Sequence, residues 1–205
     1  MSDHPAAKPS GGILKWALWG VAVLGVAAVI YIMGSALIKP DGGGSLKRLA
    51  KGEMAKLETP LPPSRAPDHV FYDAGGQPVR LADFKGQVVV MNIWATWCGP
   101  CVLEMPTLAA LQKSYAGRPV KVVAISVDRD QDLDKARAFI GQHAPLDFYI
   151  DRERKISFVL SPPAAGMPTT VIYGRDGVER ARLAGEADWT SPEARAVIDS
   201  VLAGG

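Results

Sequence analysis

Cysteine and histidine are scarce in this chain, with 2 of the former and 3 of the latter in 205 residues. A disulfide framework of the kind that staples small secreted domains is thereby excluded, because it needs further pairs. A structural zinc centre normally takes four ligands, and His4, His69 and His143 are scattered without forming the second half of such a set. Charge of one sign is scarce too: 23 basic residues stand against 21 acidic ones, a formal net of +2. With no sustained basic run, the concentrated positive footprint of a nucleic-acid-binding protein is missing, and no nucleic-acid partner is expected. Nor is this the composition of a disordered chain, since 48% of the residues are hydrophobic and 21% are charged. The length accommodates one ordinary domain with an accessory region, not two large cores.

Charged side chains are wholly absent from residues 16–38, WALWGVAVLGVAAVIYIMGSALI. At 1.5 Å of helical rise per residue, such a run crosses a hydrocarbon core of roughly 30 Å. Lys15 and Lys39 bracket it, and Trp16, Trp19 and Tyr31 suit the membrane interfaces. The reading is a short N-terminal tail at 1–15 followed by a retained transmembrane signal anchor at 16–38. Gly34-Ser35-Ala36 offers a small-x-small site for signal cleavage, but the apolar run exceeds the usual h-region of roughly 7–15 residues. Local charge points the other way on orientation: Lys8 and Lys15 precede the run, while Lys39, Lys47, Arg48, Lys51 and Lys56 follow it, which would place the following domain in the cytoplasm.

Residues 39–65 read as a linker. KPDGGGS is flexible, SLKRLAKGEMAKLE at 45–58 suits a short helix with unevenly spaced leucines, and TPLPPSRAPD resists helix and central strand because prolines lack a backbone donor. The remaining 66–205 read as one folded head. A hairpin centred on Asp73-Ala74-Gly75-Gly76 precedes QVVVMNIWA at 87–95, whose continuous apolar character fits a strand covered on both faces. A helix is expected over 99–116, bent or short of one hydrogen bond at Pro106. Strands follow at 120–128 and 146–151, with a helix over 133–142 between them and a small helix around Ile156, Val159 and Leu160. TTVIY at 169–173 and VERARLA at 178–184 form a second hairpin through Asp176-Gly177, and 191–202 closes the chain as a helix. Interleaved strands and helices ending in a hairpin predict a layered α/β fold with a mixed sheet.

Both cysteines lie in WATWCGPCVLEMP at 94–106. A buried strand ends at Ala95 and a helix begins around the motif, so Cys98 meets helix N-terminal amides and the positive end of the dipole, which favour thiolate. Thiolate is the attacking species in disulfide exchange. Cys101 lies one turn along, directed inward and able to attack a mixed disulfide. Gly99 and Pro100 keep the connection compact, with Pro100 at an early helical position where its missing donor costs nothing. Other readings stay in view. A structural disulfide closing so short a loop gains little chain entropy. A thiol peroxidase would also use a low-pKa cysteine, with Thr96 two residues before it, but no peroxide-pocket signature accompanies the motif. Two thiolates also suit copper(I), which makes a copper(I)-binding metallochaperone the main alternative.

QVVVMNIWATWCGPCVLEMP at 87–106, followed by GMPTT at 166–170, resembles the thioredoxin superfamily, and within it the membrane-anchored thiol:disulfide interchange branch of TlpA and ResA proteins. The resemblance covers residues 66–203. It implies a thioredoxin-like mixed sheet with flanking helices, an N-terminal hairpin and a central α/β insertion between Val127 and Pro168. It also implies a redox-active Cys98–Cys101 disulfide with Cys98 as exposed nucleophile and Cys101 as resolving thiol. Trp97 would cover one side of the centre, while Met167 and a cis Pro168 would face the pair and hold an extended substrate strand. Asn92 stands where thioredoxin carries a buried aspartate. Glu104 matches an acidic position of the branch and is read either as a proton donor and acceptor for Cys101 or as a solvent-facing carboxylate supporting the helix dipole. Such proteins are tethered to the bacterial cytoplasmic membrane with the domain outside, and reduce client cysteine pairs in cytochrome c or cytochrome oxidase assembly. The implied partners are those clients and a membrane or periplasmic electron donor; neither a cofactor nor a resident metal is expected. Gly99-Pro100 is the pair of reducing thioredoxins, which favours a reductase. Met91, Met105, Trp94, Trp189 and His143 read as packing residues, and His69 as unremarkable.

Overall fold

A computed structural model of the chain describes residues 19–21, 23–29 and 42–204. The chain divides into two units, Met1–Pro40 and Asp41–Gly205. In the first, residues 19–21 and 23–29 are helical with exposed side chains. The tail at 1–15, the Gly34-Ser35-Ala36 site and the rest of the expected anchor at 16–38 lie outside the described residues. Among the described residues, no helix is long and apolar enough to cross a membrane.

The second unit is built on a seven-stranded mixed sheet. Its strands are β1 (Phe71–Asp73), β2 (Pro78–Val79), β3 (Val88–Trp94), β4 (Val120–Ser126), β5 (Tyr149–Ile150), β6 (Thr169–Tyr173) and β7 (Glu179–Ala184), in the order β2-β1-β5-β4-β3-β6-β7. β3, β4 and β5 run parallel, and the other pairings are antiparallel. The central position of β3 explains its sequence: every residue from Val88 to Trp94 is buried, as the uninterrupted apolar run requires.

Parallel neighbours need crossovers. One is α2 (Gly99–Ser114) between β3 and β4, and another is α3 (Leu133–Gly141) between β4 and β5; α1 is Gly42–Leu49, α4 is Ile156–Val159 and α5 is Pro192–Leu202. Met105, Leu108 and Leu111 of α2, Ala136 and Ile140 of α3, and Val197, Ile198 and Val201 of α5 are buried in one core. Pro106 is accommodated within α2, which continues through it to Ser114. Ser191 caps α5, its Oγ accepting from the Ala194 amide at 3.2 Å. At the β6–β7 turn, Gly177 adopts φ 73°, and Asp176 Oδ1 accepts from the Val178 amide at 3.1 Å. The thioredoxin-like mixed α/β fold with flanking helices is present, and the insertion between β4 and β6 contributes α3, β5 and α4.

Residues 42–65 depart from the linker reading. α1 and a 3-10 turn at Gly52–Lys56 place Leu46, Met54 and Leu57 fully in the core of the head. Beyond them the chain lies along the outer edge of β7. Glu58 and Arg182 exchange backbone hydrogen bonds of 2.7 and 2.8 Å, the Glu179 amide donates to Ser64 O at 2.8 Å, and the Ala66 amide donates to Gly177 O at 2.9 Å. The physical reason is that the intervening prolines leave the donors of Glu58 and Ala66 and the Ser64 carbonyl free to pair, while the unevenly spaced Leu46 and Leu57 fit an irregular path rather than one helix face. The head therefore begins well before residue 66.

Candidate active site

β3 ends at the cysteines. The Cys98 amide donates to Ala95 O at 3.1 Å, closing a turn, and Cys98 then serves as the N-cap of α2 with Pro100 in its first turn. Cys98 and Cys101 form a disulfide with a Cα–Cα separation of 5.3 Å. Cys98 is 8% exposed and Cys101 is 0% exposed, so any approach from outside meets Cys98 first. Cys98 sits at the positive end of α2, which stabilises a thiolate there once the pair is reduced.

Met167–Pro168 is a cis peptide bond, as the resemblance implied. Pro168 immediately precedes β6, whose first residue Thr169 pairs with Ile93 of β3, so the sheet itself brings this segment to the cysteine end of β3. Pro168 is buried and Met167 partly so. Trp97 stands 62% exposed beside Cys98.

Glu104 does not face solvent. It is 3% exposed, one helical turn beyond Cys101, on the same face of α2. Its Oε1 accepts from Asn92 Nδ2 at 2.7 Å, and its Oε2 accepts from Trp189 Nε1 at 3.2 Å and from the Ala187 amide at 3.3 Å. Burial pushes its pKa up to about 7; the Asn92, Trp189 and Ala187 donors pull downward, and neighbouring Glu186 adds to the rise. The dipole-supporting surface reading of Glu104 is thus replaced by a buried carboxyl poised near neutrality. Asn92, whose register partner on β6 is Thr170, also donates to Thr170 Oγ1 at 2.9 Å.

Three contributors were missed by sequence reasoning. Trp189, read as packing, is a donor to Glu104, and Asn92, read as the loss of an acid, holds the acid that is present. Asp128 lies past the end of β4 and is 1% exposed. Its two carboxylate oxygens accept from the Thr96 amide at 3.1 and 3.0 Å, from Thr96 Oγ1 at 2.7 Å and from Ser126 Oγ at 2.8 Å. It pins the turn that presents Cys98. Its one sequence signal was an acidic residue at the carboxyl end of a strand parallel to β3, where open α/β sheets place their sites.

Trp94 and Met91 are core residues, as is Met105. The His143 ring packs tilted against Phe139 with centroids 4.4 Å apart, while Nδ1 lies 2.8 Å from Phe139 O. His69 is more than a loop residue, its Nε2 lying 3.1 Å from Asp151 Oδ1.

An enclosed cysteine pair at the start of a helix, on a mixed sheet and beside a cis-proline segment, defines a thioredoxin-like thiol-disulfide oxidoreductase. Comparison with known proteins gives the same class. The family model described as Redoxin matches residues 62–198, and the chain belongs to that family. The thiol-disulfide oxidoreductase ResA of Bacillus cereus is 30% identical over 138 residues, spanning 67% of this chain and 78% of the relative. A Chlorobium tepidum structure described as a thiol:disulfide interchange protein DsbE superposes with a TM-score of 0.61 at 27% identity, covering 68% of this chain and 96% of that one. A DsbF homologue from Corynebacterium diphtheriae gives a TM-score of 0.60 at 25% identity, covering 71% of this chain and 92% of that one. The protein is an enzyme of this class, and Cys98 and Cys101 are its redox-active cysteine pair.

Proposed function

We propose that the protein is a membrane-tethered reductase acting outside the bacterial cytoplasmic membrane on disulfides of client proteins. The observation that carries this reading is the Cys98–Cys101 pair at the start of α2 with the buried, hydrogen-bonded Glu104 carboxyl on the helix face that also bears the fully enclosed Cys101. In the reduced enzyme, Cys98 thiolate attacks one sulfur of a client disulfide, and the other client sulfur leaves as thiolate and takes up a proton. Glu104 carboxylate then accepts the Cys101 proton. Cys101 attacks the Cys98 sulfur of the mixed disulfide and expels the second client thiolate, to which a proton returns. Two electrons and two protons pass to the client, and the enzyme is left in the disulfide form described above. Trp97, Met167 and Pro168 border the place where the client strand would lie, with Gly99 and Pro100 setting the compact turn of the motif.

Gly99-Pro100 supports the reducing direction, since thioredoxins lie near about −270 mV and the oxidant DsbA near about −120 mV. Similarity to ResA and DsbE proteins supports clients in cytochrome c or cytochrome oxidase assembly, where haem-binding and copper-site cysteines arrive as dithiols or disulfides. Turnover in an oxidising compartment needs a second dithiol protein as electron donor. The charge-free run at 16–38 supports the anchor, as do the exposed apolar side chains of Trp19, Val21, Val23 and Leu24, which suit lipid better than water.

An oxidised Cys-x-x-Cys-His peptide, a c-type haem attachment sequence, provides the test. The reduced full chain is expected to reduce it, Cys101→Ser to accumulate a one-to-one mixed disulfide visible by mass spectrometry, and Cys98→Ser to give none. An equilibrium potential near −120 mV would overturn the reducing direction.

A further inference from the structure

Beside Trp97 lies a cleft of about 510 Å³ lined by Trp97, Val127, Arg129, Gln131, Asp132 and Arg154. It adjoins the reactive disulfide through Trp97, the residue before Cys98, yet disulfide exchange as described above uses none of its charged groups.

Most arginines of the head are engaged. Arg80 pairs with Asp68, Arg118 with Asp199, Arg180 with Asp176 and Arg182 with Glu179, while Arg137 and Arg152 lie over the rings of Phe148 and Tyr72. Arg129 and Arg154 are exposed, and neither makes an ion pair among the described residues. One carboxylate, Asp132, stands against them, so the lining carries a net positive charge. Two guanidiniums in one cleft repel each other, and an anionic occupant relieves that repulsion.

Arg154 is also held where it stands. It is the one described non-glycine residue with positive φ, 54°, a conformation that persists in ordinary side chains when the surroundings enforce it. The surroundings here centre on Asp151, which is fully buried at the end of β5. Asp151 O accepts from the Arg154 amide at 3.0 Å, Oδ1 from the Glu153 amide at 3.1 Å, and Oδ2 from the Lys155 and Ile156 amides at 2.7 Å each. A buried carboxylate thus holds the backbone from which one of the two unpaired cations projects at the mouth of the site.

We propose that Arg129 and Arg154 read an acidic segment flanking the client's cysteine pair, with Trp97 forming the wall between that segment and Cys98. The guanidinium fork donates paired hydrogen bonds to a carboxylate, so the favoured occupant is an Asp- or Glu-bearing stretch of polypeptide. This inference rests on the reductase reading and adds to it the chemistry of the client.

Two oxidised peptides sharing one Cys-x-x-Cys disulfide, one flanked by Asp and Glu and the other by Ser and Gln, separate the two readings. With the reduced full chain in single-turnover stopped flow, the acidic peptide is expected to react on the order of tenfold faster at low ionic strength, the advantage shrinking in high salt. Arg129→Ser/Arg154→Ser brings the ratio of the two rates to about one, and Arg129→Glu/Arg154→Glu turns the preference toward a lysine-flanked peptide. Equal rates with the wild-type protein, or a preference kept by the double serine variant, overturn the inference while leaving the reductase reading intact. Reduction of neither peptide overturns the reductase reading and this inference with it.

Discussion

On folding, the Glu104 carboxyl changes its affinity for a proton, its pKa rising from 4.5 to about 7 chiefly because burial disfavours the charged form. Below about pH 4.5 the group is protonated in both states and carries no penalty. As pH rises through 7 the unfolded chain has released its proton and the folded one must ionise a buried group, so stability is lost across that window. At about 1.4 kcal/mol per unit, the contribution is about 3 kcal/mol. Urea unfolding of the oxidised protein at a series of pH values should therefore show wild type losing stability relative to Glu104→Gln between pH 4.5 and 7, with the difference constant above that range. The same variant separates the proposed proton role from packing: release of client from the mixed disulfide should accelerate with pH through about 7 in wild type, and Glu104→Gln should be slower and lack that inflection. Asn92→Asp sets a second carboxyl against the first, 2.7 Å away in the native contact, and should move the inflection upward.

The elements that carry the site differ in how plainly the sequence announces them. β3, β4 and β6 were legible because each is a short apolar run bounded by turn residues, and α2 because a strand, a tight turn and an early proline leave few other readings. Cys98 and Cys101 came with that context. The burial of Glu104 was not legible: the face of α2 it occupies is closed by Ala187 and Trp189, more than 80 residues away, and no local pattern reports such a contact. Asp128 escaped for the same reason, since its partner Thr96 lies 32 residues earlier, in the turn that follows the neighbouring parallel strand. Asp128→Ala strips the acceptors from the Thr96 amide, Thr96 Oγ1 and Ser126 Oγ. Hydrogen bonds to a charged group stabilise by about 1.5–3 kcal/mol, and a loss of about that size is expected in denaturant unfolding. A slower first attack by Cys98 should accompany it in single turnover, because the turn before the nucleophile is no longer pinned; Asp128→Asn, which keeps one oxygen, should fall between.

Across the whole molecule, residues 42–66 tie into the sheet rather than leading up to it. Arg182 of β7 bonds both Glu179 oxygens, at 2.9 and 3.0 Å, and also reaches the carbonyl of Pro162, while Ser64 Oγ donates to Glu179 Oε2 at 2.6 Å. One buried pair thereby links the leading segment, the last strand and the loop that approaches Pro168. Composition misled here because proline-rich, charged sequence is the usual dress of a tether, and the edge pairing needs only a few donors between the prolines. A chain starting at residue 59 loses the burial of Leu46, Met54 and Leu57, each side chain contributing roughly 2 kcal/mol. Its urea midpoint should fall well below that of the full chain, and size-exclusion chromatography should show association. The opposite rim of the sheet is blunted differently, by a two-residue β2 that begins with Pro78, a residue with no amide to offer. With one rim overlain by its own chain and the other cut short, the molecule is poorly suited to templating a stray strand. On the proposed reading, an extended client segment would then be held beside Met167 and Pro168, next to the disulfide, rather than at the rims, where capture would lead to aggregation.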